Sequence, residues 1–278
     1  MPNEEKQYDA YFTEQRNEAS YNIDKMSARE IAQVINNEDK RVADAVETQL
    51  DAIAAAIDGI AARLRDGGRL IYIGAGTSGR LGVIDATECP PTYGVSPELI
   101  QGVLAGGRDA MFRSSEGMED RADAAVADLK AVGFSQKDVC FGISASGSAE
   151  YVLSALRYAH SLGALTVSLS CHDASLSARE ADIAITPVVG PEVIAGSTRM
   201  KAATAQKMVL TMVSTGVMVK LGRVHHNLMV CMNPSNRKLW NRAIRIICTE
   251  SGVSAEEAER ALRENDNNIR QAIEALTK

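Results

Sequence analysis

Long apolar runs are missing from this 278-residue chain. The longest charge-free apolar stretch toward the C-terminal half, Met208 to Val219, is too short for a bilayer-spanning helix, which takes about 20 residues. No membrane association is expected. The opening string MPNEEKQYDAYF is acidic and has no apolar signal core, which favours a cytoplasmic location. Basic excess is missing too: 30 Lys and Arg stand against 36 Asp and Glu, a net charge of −6, and no segment concentrates the positive charge. Sequence-independent attraction to nucleic acid is therefore excluded as the main activity. Seven prolines against 21 glycines, with hydrophobic residues at 45% and charged residues at 24%, rule out collagen-like and disordered chains.

Cysteines are few, odd in number and dispersed: Cys89, Cys140, Cys171, Cys231 and Cys248, of which the closest two are 17 positions apart. Neither a metal knuckle nor a disulfide framework is visible, and these side chains read as small buried apolar groups. The four histidines include the adjacent pair His225-His226, but a metal site there would need carboxylates brought in from afar. No metal site is expected.

What is present is an alternation of apolar patterns. From Ser27 to about Ile60 the spacing is helical, with the polar run Asn36-Asn37-Glu38-Asp39 predicting a break between two helices. A β-rich run, Arg69 to Ile73, then leads through glycine into a helix starting near Ser78. Further strands are expected over Leu99 to Leu104, Asp138 to Ile143, Ala164 to Ser170 and Ile183 to Ile185. Helices are expected over Asp120 to Val132, Tyr151 to Ser161 and about Ser197 to Lys220. The expected fold is α/β, a three-layer, doubly wound and mostly parallel sheet. Beyond Asn233-Pro234 a helix over Asn236 to Thr249 and two short ones, Ala255 to Glu264 and Asn268 to Leu276, suggest a small three-helix module. The expected division is a helical segment over 1–54, an α/β domain over 55–222 and the helical module over 223–278.

Two loops carry the candidate chemistry. The first, Gly74-Ala75-Gly76-Thr77-Ser78-Gly79, satisfies G-x-G-x-x-G, but a dinucleotide site also wants an acidic residue at the tip of the second strand. That strand ends in Ala105-Gly106-Gly107, so no nicotinamide or flavin is expected. Instead Gly76, Thr77 and Ser78 bring hydroxyls and backbone N–H groups to a helix N-terminus, which suits a terminal phosphate. The second loop, Ser144-Ala145-Ser146-Gly147-Ser148, also follows a strand and opens a helix. In a parallel sheet both loops open on the carboxyl edge, where Ser144, Ser146 and Ser148 join the first loop around one phosphomonoester. The alternative is that these residues serve as helix caps only.

With these strings in view, the chain resembles the sugar isomerase (SIS) phosphosugar-binding domains. Thr13 to Asn17, Gly74 to Gly94, Glu116 to Asp120, Gly190 to Ala202 and Asn227 to Val230 resemble the N-acetylmuramic acid 6-phosphate etherases in particular, in matching order from near the start to about residue 247. The resemblance implies a cytoplasmic, homodimeric lyase that needs no metal or other cofactor. Its substrate would be a phosphorylated amino sugar, split with water into N-acetylglucosamine 6-phosphate and D-lactate. Two carboxylates are carried over by the same resemblance: Glu119 as the base at C2, and Glu88 as the acid that protonates departing lactate. Residue chemistry alone leaves open which of Glu116, Glu119 and Asp120 faces the pocket, and reads Glu88 first as a solvated helix residue or a partner for Arg80, in a segment leading to a rigid Cys89-Pro90-Pro91 turn that can aim the side chain.

Further candidates for substrate or interface contact are Ser197, Thr198, Arg199 and Lys201, expected to open the long helix, and His225 after it. The family pattern S-G-R-T-P-Y is replaced here by Ser146-Gly147-Ser148-Ala149-Glu150-Tyr151, which removes the Arg cation and the Thr hydroxyl and adds a carboxylate. The K-V-Y-G-N-L-M-V segment becomes Arg223 to Val230 with His225-His226 in place of Tyr-Gly. Two other readings share the phosphosugar loops: a non-catalytic phosphosugar sensor, which needs no acid and base pair, and an aldose-ketose isomerase, which needs no acid for a leaving lactate.

Overall fold

The computed structural model describes residues 14–115 and 117–277; Thr13 and Glu116 lie outside the described residues. Two helices enter first, α1 (Ala28–Glu47) and α2 (Leu50–Arg65). Then come β1 (Leu70–Gly74), α3 (Gly76–Tyr93), β2 (Ile100–Leu104), α4 (Ala122–Ala131), β3 (Val139–Ile143) and α5 (Glu150–Ser161). The α/β part closes with β4 (Leu165–Leu169), α6 (Leu176–Glu180), β5 (Ile183–Ile185) and α7 (Lys201–Lys220). Three helices end the chain: α8 (Arg237–Ser251), α9 (Ala255–Glu264) and α10 (Ile269–Leu276).

The five strands form one parallel sheet in the order β2-β1-β3-β4-β5. Its central strands are buried on both faces, as apolar runs such as Leu70 to Ile73 demand. One face packs under α1, α2, α3 and α7, through Ile60, Tyr72, Phe141, Val209 and Val213. The other packs under α4 and α5, through Ile71, Cys140, Leu129 and Leu156. The last three helices gather a core of their own around Val230, Ile247, Leu262 and Ile269. No helix among the described residues is long and apolar enough to cross a membrane.

Three local expectations are corrected. The polar run at 36 to 39 does not break the first helix: α1 is continuous to Glu47, and the break falls at Thr48-Gln49. Glu38 is buried, and its carboxylate accepts from Lys201 Nζ at 2.6 Å and Asn17 Nδ2 at 2.7 Å. The polar residues there answer a buried cation rather than solvent. Pro90 and Pro91 do not form a turn after α3; both lie in its last turn, which ends at Gly94 in the left-handed conformation. Finally, α7 begins at Lys201, not near Ser197. The buried carboxylate of Glu192 accepts from the backbone N–H groups of Lys201 and Ala202, both at 2.9 Å, and so fixes the helix start from outside the helix.

Candidate active site

The order β2-β1-β3-β4-β5 sends the chain to one side after β1 and to the other after β3, so the switch point of the sheet lies between these two strands. Gly74 and Ile143 are register partners across that gap. The two hydroxyl loops therefore leave the carboxyl edge side by side, as the sequence pattern implies.

The first loop is shaped by close approach. A Cβ on Gly79 would stand 2.3 Å from the Gly74 carbonyl oxygen, so only glycine lets α3 start directly against β1. Gly76 has φ +54, and the helix N-cap, Ala75, offers no side chain to the first N–H groups. These N–H groups remain for an anion. Thr77 is half-buried. Ser78 is turned inward: its Oγ donates to Gln206 Oε1 on α7 at 3.0 Å in a buried pair. Its hydroxyl is thus committed to the protein, and what Ser78 offers an anion here is its backbone N–H.

The second loop is held by its own hydroxyls. Ser144, buried, accepts the Gly147 N–H at 3.1 Å, and Ser146 Oγ lies 2.8 Å from Ser148 Oγ. Gly147 has φ +69, and a Cβ there would stand 2.5 Å from Ser175 Cβ. Ser146 and Ser148 are half-buried. The added carboxylate, Glu150, lies 3.7 Å from Arg157 on the same helix.

Glu119 lies in a short 3-10 turn, Met118–Asp120, between β2 and α4, and is exposed. Met118 of that turn packs into the core beneath α4 and α5. The approach to it is tied down by Arg80 of α3, whose Nε donates to the carbonyls of Ala110 (3.0 Å) and Met111 (3.2 Å) and whose Nη2 donates to that of Arg113 (3.2 Å). Arg80 is spent on these carbonyls.

Glu88 is exposed on α3, twelve residues past Gly76, which is about 18 Å along the helix axis. That exceeds the span of one hexose 6-phosphate anchored at the α3 N-terminus, so the structure does not bring Glu88 to the loops of its own chain. It shares an exposed face with Ile84, one turn earlier.

The remaining candidates separate. Ser197 and Thr198 are half-buried in turns before α7, and Arg199 is exposed. Because Glu192 fills the α7 N-terminus, that helix end is no free anion site. Lys201 is fully buried on Glu38. His225 lies beyond the far end of α7, about 21 Å along the axis from Gln206, and faces Glu250.

Sequence reasoning missed Gln206. It is buried, and its Nε2 has no hydrogen-bond partner among the described residues. The available signal was an amide inside the apolar stripe Ala202, Ala205, Gln206, Val209.

Family models match the chain twice in its α/β part: the N-terminal SIS domain of glucokinase regulatory protein over residues 52–160 and the SIS domain over residues 128–216. The HYPK UBA domain model matches residues 242–277, covering most of the C-terminal helices. The chain is 57% identical to an N-acetylmuramic acid 6-phosphate etherase of Clostridium beijerinckii, over 94% of this chain and 86% of that one. The chain belongs to this etherase family. A second relative, N-acetylmuramic acid 6-phosphate etherase 2 of Vibrio cholerae, is 52% identical over 94% of this chain and 85% of its own. Among solved structures, the phosphoheptose isomerase GmhA of Neisseria gonorrhoeae superposes with a TM-score of 0.53 at 17% identity, over 69% of this chain and 98% of that one, which shows the shared fold.

Proposed function

We propose that this etherase-family chain cleaves the D-lactyl ether of N-acetylmuramic acid 6-phosphate, giving N-acetylglucosamine 6-phosphate and D-lactate in cytoplasmic amino sugar recycling. The observation that carries the reading is the pair of loops at the switch point between β1 and β3. The N–H groups of Gly76, Thr77 and Ser78 at the α3 N-terminus, without a capping partner among the described residues, and Ser146 and Ser148 opposite suit the C6 phosphate. Ser144 serves from behind by holding Gly147.

The chemistry needs one base and one acid. Opening the sugar ring exposes an aldehyde at C1, which acidifies the C2 proton. Glu119 takes that proton, the C2–C3 double bond forms, and the C3–O bond breaks as Glu88 protonates the departing lactate oxygen. Water then adds at C3 with the two roles reversed. Each carboxylate supplies about 10² to 10⁴ in rate.

The position of Glu88 adds a requirement. A site that uses both carboxylates takes Glu119 from the chain that binds the phosphate and Glu88 from a second copy. In a two-fold dimer the same contact recurs at both sites. The exposed apolar side chains Ile84 on α3 and Met212 and Val219 on α7 supply a surface for such a homodimer. Within this assembly we divide each chain into an entry segment (1–54), the phosphosugar domain (55–222) and the helical module (223–278).

The test is D-lactate release from N-acetylmuramic acid 6-phosphate by the purified protein, beside Glu88→Ala and Glu119→Ala. Loss of at least about 10² in kcat in each variant, with phosphosugar binding retained, is expected. Full activity in either variant, or no release by the unaltered chain, would overturn the assignment. A chain that binds the phosphosugar without releasing lactate is the sensor of the sequence reading.

A further inference from the structure

The connector between α7 and α8 folds back at residues 225 to 228, where His225 and Leu228 form an isolated antiparallel bridge with N–H to carbonyl distances of 3.3 and 2.8 Å. His226 sits inside this turn at φ +51, a conformation that side-chain-bearing residues rarely adopt. Its ring lies over that of His225, with centroids 4.4 Å apart and planes 14° from parallel. Glu250, in the last turn of α8, reaches the same point from the other side. Its Oε2 is 3.3 Å from His225 Nε2 and 3.8 Å from His226 Nδ1, and its side chain is only 17% exposed. One donor atom from each of the three residues lies within 4.8 Å of the other two.

We propose that His225, His226 and Glu250 bind a first-row divalent transition metal ion of the zinc and nickel class, which clamps the connector to α8. Two imidazoles with one carboxylate form a donor set such ions take, whereas magnesium and calcium favour all-oxygen ligands. Bonds of about 2.0 to 2.1 Å in a tetrahedron place neighbouring ligand atoms about 3.4 Å apart. The His225 to Glu250 spacing already meets that, and the His226 to Glu250 spacing exceeds it by a few tenths of an ångström. Binding turns the His226 ring out of its stack to direct its lone pair at the ion; at 74% exposed, that ring is free to move. Water completes the fourth position.

The surroundings favour a cation. The last carbonyls of α8 carry partial negative charge at the helix end where Glu250 sits. The turn is anchored rather than loose, since Leu228 and Met229 pack on the module core and Val230 belongs to it. Rigid support of this kind is what holds ligand atoms in place. Three of the five thiols are no competitors: burial pushes Cys89, Cys140 and Cys171 up to about 12. The clamp lies beyond the far end of α7 from its own phosphate loops, and the elimination and hydration steps proposed above call on no metal, so the role proposed for the ion is structural.

Calorimetric titration of the metal-stripped full-length protein with zinc tests this, with magnesium as control. The expected result is one zinc ion per chain with a Kd on the order of micromolar or tighter, no uptake of magnesium, and a rise in Tm on zinc addition. Glu250→Gln and His226→Gly, the latter suited to the positive φ, should each weaken zinc binding at least about tenfold and abolish the Tm rise. His160→Gln, which removes a surface histidine lying 3.7 Å from Asp182, should change neither. Binding no tighter than about 100 μM, or equally tight binding in folded Glu250→Gln and His226→Gly, would overturn the proposal.

Discussion

Lys201→Met is the perturbation whose cost the structure specifies best. Lys201 is 1% exposed at its side chain and Glu38 is 7% exposed, and the two meet at 2.6 Å. Burial alone would raise the Glu38 pKa, but hydrogen bonds from Lys201 and Asn17 and the Lys201 charge outweigh it and hold the carboxyl below its ordinary value. Removing one member of such a pair strands the other, at about 3 to 5 kcal/mol. In Lys201→Met, Glu38 keeps Asn17 at 2.7 Å and the exposed Arg41 at 3.3 Å, which places the loss near the lower end, about 3 kcal/mol. Glu38→Gln instead strands an ammonium group and should fall nearer about 5 kcal/mol. The double variant Glu38→Gln, Lys201→Met removes both charges and should recover most of either loss. Urea unfolding followed by circular dichroism measures all three. A loss below about 1 kcal/mol in Lys201→Met, or additive losses in the double variant, would refute the claim that this pair fastens α1 to α7.

Asp85, on α3, accepts hydrogen bonds from Tyr72 (3.0 Å) and Ser214 (3.1 Å), yet burial prevails and raises its pKa. Its favourable contribution is complete below the unfolded value near 3.9 and is lost as pH rises through the folded one. The Tm of Asp85→Asn should therefore gain on that of the unaltered protein between pH 4 and pH 7, and a pH-independent difference would contradict this. Gly79→Ala sets a methyl against the Gly74 carbonyl and should cost at least about 1 to 3 kcal/mol in thermal unfolding while weakening phosphosugar binding. Replacing Ser148-Ala149-Glu150 by Arg-Thr-Pro brings in a cation, moves the hydroxyl from position 148 to 149 and removes the Glu150 carboxylate beside the proposed phosphate position, and should lower KM for the phosphosugar. An unchanged or higher KM would tell against that placement.

The parts of the fold that local chemistry decides were legible. Leu70 to Ile73 and Val139 to Ile143 are short apolar runs that lead into glycine or serine turns, and they are the two strands flanking the switch point. The C-terminal helices announce themselves by caps: Ser254, Asn236 and Asn268 each accept a backbone N–H. What escaped was decided at long range. The unbroken course of α1 through Asn36 to Asp39 depends on Lys201, 163 residues away. The inward turn of Ser78 depends on Gln206, 128 residues on, and the start of α7 on a carboxylate in the preceding loop. Glu88 and Glu119 came from family resemblance, because an exposed glutamate on a helix and an acidic 3-10 turn carry no signal of their own. The His225 and His226 pair stood without a carboxylate until the fold supplied Glu250.

The central claim, two carboxylates acting on one sugar from two chains, is tested most directly by mixing two inactive proteins. Glu88→Ala and Glu119→Ala are unfolded together, refolded, and assayed for D-lactate release from N-acetylmuramic acid 6-phosphate. If each site takes Glu119 from one chain and Glu88 from the other, a mixed dimer has one intact site and one lacking both groups. With half of the dimers mixed, activity should return to about a quarter of the unaltered level under two-fold symmetry. No recovery, with mixed dimers shown to form, would contradict the shared site.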